Sequence, residues 1–201
     1  MDRTAPTDHP VHDLIARRHS PRAFTEQAVT PAQILSLLEA ARWAASCSNE
    51  QPWRYIVAQR SERDAFDRLL GCLIEFNRAW CQNAQVLMLS VASTGFARNG
   101  TSNAHAWHDV GQASASMAIQ AEAMGLQIHQ MAGFDSDKAR EAFAIPPGFE
   151  PVAAIAIGYP GDPDSLPAPL AERERAPRQR RSVAEFIHGG TWGVKPAGLD
   201  R

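Results

Sequence analysis

The sequence predicts an α+β fold, because helices and strands mix without the regular strand–helix–strand alternation of a doubly wound sheet. Segments with helical periodicity are interrupted by short apolar segments, of which AQVLMLSVAS at residues 84–93 is continuously apolar and is expected to be a strand covered on both faces. With 201 residues, of which 44% are hydrophobic and 21% charged, the chain is long enough to bury a substantial core in one domain.

Helix and strand signals alternate through the first 93 residues. Pro10 favours a first helical position, and Pro21 forces this short helix to end just before it. Thr30 and Gln33 form a capping box at the start of the clearest helix, and Ser61 is a candidate cap for a later one. The predicted helices cover residues 10–18, 30–46 and 61–70, with a continuation to residue 80 left open, and the predicted strands cover residues 53–59 and 84–93.

The second half of the chain contains a long helix rich in small residues, which Gly125 is expected to end. A short strand follows, then a helix capped near Asp135 or Ser136, then a strand that a Gly-Tyr-Pro sequence ends. These elements cover residues 104–124, 126–131, 135–144 and 150–160. Beyond Pro160 the composition becomes rich in Pro, Arg and Glu, which cannot build a core of its own. We therefore expect a core at residues 1–160 and a C-terminal arm at residues 161–201.

Composition and net charge argue against several classes of protein. The net charge of −2 gives no global field that favours nucleic acid or an anionic membrane. The apolar runs are far too short to cross a bilayer, and the N-terminal segment has no apolar signal region. Three cysteines, an odd and sparse set, are consistent with a reducing compartment. We expect a soluble, cytoplasmic protein that binds neither nucleic acid nor membrane.

The segment RRHSPRAF at residues 17–24 concentrates three arginines, a histidine and a serine at a helix end. Guanidinium groups match phosphate oxygens, so this cluster can hold an anion. Basic residues in a last helical turn also complement the helix dipole without binding anything. The segment by itself leaves both interpretations open.

Other motifs carry weaker signals. The polar loop SCSNEQPW at residues 46–53 can present amides to a heterocycle, or it can be an ordinary turn ahead of a strand. HPVH and HAWH suggest metal binding, but no cysteine or carboxylate set completes a site, and we expect no metal. The tail ERERAPRQRR interleaves acidic residues and lacks aromatic ones, which argues against nucleic-acid binding.

Taken together, four blocks resemble the nitroreductase family of FMN-dependent oxidoreductases, in the family's order. They are RRHSPRAF, AASCSNEQPW, GLQIHQMAGFD and RQRRSVAEFIHGGTWG, and PVAAIAIGYP matches the family's last core strand. The resemblance implies a central mixed or antiparallel sheet surrounded by helices. It also implies an obligate homodimer with two FMN sites at the interface and a C-terminal arm extending over the partner subunit.

The resemblance assigns roles to individual residues. The FMN phosphate and pyrimidine edge would contact Arg18, His19, Ser20 and Arg22, and a C-terminal basic pair would close on the phosphate, namely Arg178 and Arg180. The flavin ring would meet Ser46, Cys47 and Asn49 from the partner subunit, and its N5 edge would lie near Met131, Ala132 and Gly133. Asn77 matches an asparagine that some relatives use against the flavin.

The implied activity is reduction of nitroaromatic, quinone or related electrophilic acceptors by NAD(P)H, in a ping-pong mechanism that needs no acid–base residue because the flavin carries the chemistry. Candidate acceptor-pocket residues are Phe96, Trp107 and His108, for which core packing or helix surface is an equal alternative. Three alternatives remain open: a specialised flavin oxidase or dehydrogenase, a reductive dehalogenase, and a flavin-binding sensor with little turnover.

Overall fold

An antiparallel sheet of four strands organises the protein, whose computed structural model describes residues 3–199. The strands are β1 Trp53–Gln59, β2 Val86–Ser93, β3 Gln127–Met131 and β4 Phe149–Gly158, in the order β1-β2-β4-β3. The helices are α1 Asp13–Arg17, α2 Pro31–Arg42, α3 Arg63–Cys72, α4 Glu75–Cys81, α5 Ala106–Ala123, α6 Ser136–Ala142 and α7 Ala168–Arg175. The α+β prediction is confirmed.

The two central strands explain the continuous apolar run in the sequence. Both faces of β2 are covered, so all but its last residue is buried. Val86 and Met88 point to one face, where α2 and α5 complete a core, while Leu87 and Leu89 point to the other. On that second face the sheet packs against residues of α3, α4, α6 and α7. The sheet is therefore the middle layer between two helical layers.

Several element boundaries follow the local signals. The capping box of Thr30 and Gln33 is present at the start of α2, and Asp135 caps α6 by accepting from Lys138 N. Gly125 follows α5 with φ of 72°, the left-handed conformation that a glycine adopts without strain. These three predictions are confirmed.

Other predicted boundaries were wrong. The first helix begins only at Asp13, where the His12 side chain accepts from Leu14 N, so Pro10 does not start it. The N-cap of α3 is Glu62 rather than Ser61. The continuation to residue 80, which the sequence leaves open, is a separate helix, α4. The helical region breaks at Leu73, because that buried residue turns extended and pairs with Phe134 in a short antiparallel bridge.

The segment after Pro160 divides into two parts. Leu166, Leu170 and Ala171 are buried in the core, so α7, which the composition does not predict, belongs to the same packed body. Beyond α7 the described chain has one short 3₁₀ turn, Val183–Glu185, and exposes large apolar side chains such as Trp192. Its position relative to a partner subunit stays a prediction. Within residues 3–199, no helix is long and apolar enough to span a membrane.

Candidate functional site

A small basic cavity brings the two ends of the chain together. Its volume is about 160 Å³, and it is lined by Arg3, Arg18, His19, Ser20, Arg22, Arg173, Glu174, Arg178 and Arg180. All six residues that the resemblance assigns to the FMN phosphate and pyrimidine edge, four from the N-terminal block and two from the C-terminal block, line this one cavity. The fold therefore joins two motifs that lie at opposite ends of the sequence.

The arginines of this cavity repel one another. Desolvation by burial lowers the pKa of Arg18, and the neighbouring charge of Arg180 lowers it further. Burial also lowers the pKa of Arg178, with further lowering by the charges of Arg18, Arg180 and Arg3. Such guanidinium groups stay protonated, so the repulsion persists until an anion neutralises it. A phosphate dianion is the kind of ligand that this field favours.

Arg178 ties the C-terminal segment to the end of α1. Its Nη1 donates to Arg3 O at 2.5 Å and Ala16 O at 2.7 Å, and its Nη2 donates to Arg18 O at 2.9 Å. These carbonyls include groups that the end of a helix leaves without intrahelical partners. Arg178 therefore holds the cavity wall together. Among residues 3–199, the Arg18 guanidinium donates to Ser20 Oγ alone, at a long 3.4 Å.

Arg22 is held by the buried carboxylate of Glu174, a residue that belongs to none of the predicted site motifs. Arg22 N donates to Glu174 Oε1 at 3.0 Å, and its Nη1 lies 3.6 Å from Glu174 Oε2. Glu174, on α7, is 8% exposed. The buried Nε of Arg22 has no hydrogen-bond partner within the described chain, which leaves one donor of this side chain free for a ligand acceptor. No local pattern marks Glu174, because it resembles the other acidic residues of the tail.

Two histidines shape the turn that presents these cations. His19 N donates to Gln127 Oε1 at 3.3 Å, and burial lowers the pKa of the His19 ring. His129 lies in β3 against the Trp80 ring, with 4.6 Å between centroids, and its Nδ1 is 2.9 Å from Pro21 O. Desolvation lowers the pKa of His129 to about 4, so the ring is neutral at neutral pH. It supports the Pro21 turn as a neutral donor.

The loop at residues 46–51 is strained. Ser48, Asn49 and Gln51 have φ of 53°, 54° and 53°, a region that costs a residue with a side chain about 1 kcal/mol or more. Within the loop, Gln51 N donates to Ser46 Oγ at 3.0 Å. Cys47 is half-buried, with a free thiol. Three strained positions in six residues persist only where surrounding contacts fix them, and such clusters are typical of ligand sites.

The candidate acceptor residues lie beside this loop rather than in the basic cavity. Phe96 is half-buried with the Arg98 guanidinium 5.3 Å from its ring centroid, whereas Trp107 and the His108 side chain are exposed. Hydrogen bonds from the 46–51 loop reach both Ala97 N and Asp109 on α5. None of the residues that line the basic cavity comes from these segments. One chain thus presents two separate groups of candidate site residues.

The segment from Met131 to Gly133 is held tightly by α4. Asn77 Nδ2 donates to Gly133 O at 3.0 Å, and a Cβ added at Gly133 would lie 2.4 Å from that nitrogen. Met131 is buried with its sulfur 3.5 Å from Cys81 Sγ, while Ala132 is exposed. The side chains of Asn77 and Met131 are therefore occupied within the fold. Within residues 3–199, no group of three His, Cys, Asp or Glu residues is arranged to hold a metal ion.

The fold and the cavity define an α+β protein with an arginine-lined cavity between its N-terminal and C-terminal segments. The family model for the nitroreductase family matches residues 15–159, so the chain belongs to that family.

Three individual proteins are similar to this chain over different lengths. A crystal structure described as an oxidoreductase containing FMN is 34% identical, covers 95% of this chain and 97% of its own, and superposes with a TM-score of 0.89. An uncharacterized 15.4 kDa protein of Mycolicibacterium smegmatis is 33% identical over 70% of this chain and 97% of its own length. Nitrobenzene nitroreductase of Ectopseudomonas oleovorans is 36% identical over 37% of this chain and 31% of its own.

Proposed function

We propose that this protein is an FMN-dependent oxidoreductase that uses NAD(P)H to reduce nitroaromatic, quinone or related electrophilic acceptors. The observation that carries the proposal is the cavity in which two distant basic blocks meet. Arg22 lines it, and the buried Nε of Arg22 has no hydrogen-bond partner among residues 3–199. Family membership and the 34% identical FMN-containing oxidoreductase support the cofactor. The partial similarity to nitrobenzene nitroreductase supports the class of acceptor.

The residues present fit the phosphate end of FMN. A cavity of about 160 Å³ suits a phosphate group, and Arg18 and Arg180 have guanidinium donors that are not used on distant backbone carbonyls. Their mutual repulsion would be relieved by the dianion. Arg178, already bonded to three carbonyls, would fix the wall and add its charge.

Arg22 would face the flavin's N1 and O2 edge. Bound FMN would supply the redox chemistry, accepting a hydride from NAD(P)H and passing electrons to the acceptor in a ping-pong order. A fixed guanidinium at that edge stabilises the negative charge that develops there on reduction. Glu174 keeps Arg22 in place through two contacts while leaving Nε free.

The second group of candidate residues leads us to propose a homodimer. The family resemblance implies that Ser46, Cys47 and Asn49 meet the flavin bound by the partner subunit, and these residues do not line the basic cavity of their own chain. Exposed aromatic residues beyond α7, such as Trp192 at 87% exposure and Phe186 at 62%, would be covered by that partner. The backbone of Ala132 and Gly133 would approach the flavin's N5 edge.

The test is the absorption spectrum of the purified protein, followed by anaerobic addition of NADH and then NADPH. We expect flavin bands that bleach within seconds and return on addition of a quinone or a nitroaromatic compound. Bands that persist with both donors would contradict the reductase and favour an oxidase, a dehalogenase or a flavin sensor. A colourless protein that FMN does not reconstitute would overturn the cofactor assignment itself.

A further inference from the structure

We propose that Asp109 is a positioning residue that holds the strained 46–51 loop in the conformation that meets the flavin ring. In the same proposal, Glu50 bonds this loop to the segment that carries Phe96, a candidate acceptor residue. This inference rests on the proposed function, which places that loop against the flavin. It adds a role for two carboxylates that do not line the basic cavity.

Asp109 is a buried carboxylate in the first turn of α5. It is 2% exposed, and its Oδ2 accepts from Cys47 N at 3.0 Å. Its other oxygen, Oδ1, lies 3.3 Å from His108 Nδ1. A carboxylate that is almost completely buried needs such partners, because burying it without them is strongly unfavourable. The helix therefore presents a fixed acceptor to the first amide after Ser46.

That bond fixes the loop where the backbone strain begins. Ser48 and Asn49 adopt positive φ directly after Cys47, and residues with side chains leave this conformation unless neighbouring contacts hold them. A hydrogen bond to a charged acceptor is one of the stronger contacts a single amide can make. Without it we expect residues 46–49 to relax toward extended or right-handed backbone.

Glu50, near the end of the loop, bonds the loop to the segment that follows β2. Its Oε1 accepts from Ala97 N at 2.8 Å, next to Phe96 in the chain. Asp109 lies two residues after Trp107 on α5. The loop is thus bonded to both segments that carry the candidate acceptor residues, so a ligand that moves either segment changes the same loop.

The loop assignment is tested by hydrogen exchange of the Cys47 amide in protein without added FMN. Asp109→Ala should accelerate this exchange by about tenfold or more, the scale expected for a lost bond to a charged acceptor. Asp109→Asn keeps an oxygen acceptor and should restore slow exchange. Asp109→Ser, whose shorter side chain withdraws the acceptor, replaces the alanine variant if that variant does not fold.

The functional consequence is tested by titrating FMN into the same variants and following fluorescence quenching. Asp109→Ala should weaken FMN binding by about tenfold, and Asp109→Asn should stay within about twofold of the unmodified chain. Thr30→Ala is the matched control, because it removes a side-chain bond to Gln33 N at the far end of α2. We expect it to lower stability without changing Cys47 exchange or FMN affinity.

Glu50→Ala should accelerate exchange at Ala97 while leaving Cys47 slow. Unchanged Cys47 exchange in both Asp109→Ala and Asp109→Ser would overturn the loop assignment, as would an equal acceleration in Thr30→Ala. Faster exchange with unchanged FMN affinity would overturn the role toward the flavin. If the unmodified chain binds no FMN, the proposed function fails, and the exchange data separately decide the loop assignment.

Discussion

At the scale of single residues, arginines of similar sequence context have different roles. Arg178 donates to three backbone carbonyls and acts as a connector between the C-terminal segment and α1. The Arg18 guanidinium makes one long bond, to Ser20, among the described residues, so its charge is available to a ligand. Glu174 holds Arg22, whose Nε has no hydrogen-bond partner in that part of the chain. These roles differ because intramolecular hydrogen bonds occupy different numbers of guanidinium donors in the three arginines.

Arg18→Ala should weaken FMN binding by about 1.5–3 kcal/mol, the scale of a charge-assisted hydrogen bond. Riboflavin, which lacks the phosphate, should bind the variant and the unmodified chain equally well. The measurement is a pair of fluorescence titrations, one with each ligand. Arg42→Ala, which removes an arginine paired with Glu39 on the exposed face of α2, is the control and should leave both affinities unchanged. Equal losses for FMN and riboflavin would contradict a phosphate role for Arg18.

At the scale of elements, the contact between α4 and the segment after β3 sets where the candidate N5 region lies. Gly133 O accepts from Ile74 N at 3.2 Å and from Asn77 Nδ2 at 3.0 Å, so the start of α4 is bonded directly to this turn. A Cβ added at Gly133 would lie 2.4 Å from Asn77 Nδ2 and 2.8 Å from Ile74 Cδ1, so both side chains would have to shift. The shift would disturb the bond between Asn77 and Gly133 O.

Gly133→Ala should lower the free energy of unfolding by about 1–3 kcal/mol, because overpacking forces the Asn77 and Ile74 side chains to move. Gly71→Ala is the matched control: Gly71 is in α3, and a Cβ there meets nothing within 4 Å. That control should be neutral or stabilising by up to about 1 kcal/mol, from helix propensity. Urea denaturation measures the free energy of unfolding of both variants. Equal changes in this free energy would show that the close contacts at Gly133 do not contribute to stability.

At the scale of the whole molecule, the packed body ends with α7 and the chain continues as a segment with exposed apolar side chains. Leu170 belongs to the core, whereas Phe186, Trp192 and Val194 are 62%, 87% and 52% exposed. Such a run of apolar surface is typical of an interface. Arg178 and Arg180 lie just before it, so the cavity and the exposed segment are adjacent along the chain.

Deleting residues 182–201 should convert the proposed dimer into a monomer and also weaken FMN binding, while α7 and the arginines of the cavity remain. Light scattering after size-exclusion chromatography gives the mass, and an FMN titration gives the affinity. Substituting Thr191, next to the exposed Trp192, with serine is the conservative control and should preserve the dimer. A truncated chain that stays dimeric with unchanged affinity would show that this segment serves neither purpose.

Features that depend on local patterns could be predicted from the amino-acid sequence. The continuous apolar run gave a strand buried on both faces, the Thr30 capping box gave the start of α2, and Gly125 gave the end of α5. The ordered motif blocks were enough to indicate the nitroreductase family. These signals come from a few neighbouring residues, whose spacing already reflects burial or backbone conformation.

Contacts between residues that are distant in the sequence became visible in the folded protein. Arg22 and Glu174 are 152 positions apart, and Cys47 and Asp109 are 62 apart, so no local periodicity relates either pair. Likewise α7 has a composition typical of a solvated tail, and it becomes helical because Leu170 and Ala171 find an apolar face to cover. The physical reason is that the free energy of these contacts comes from burial and from charges that folding brings together. Neither burial nor charge proximity can be inferred from one sequence segment at a time.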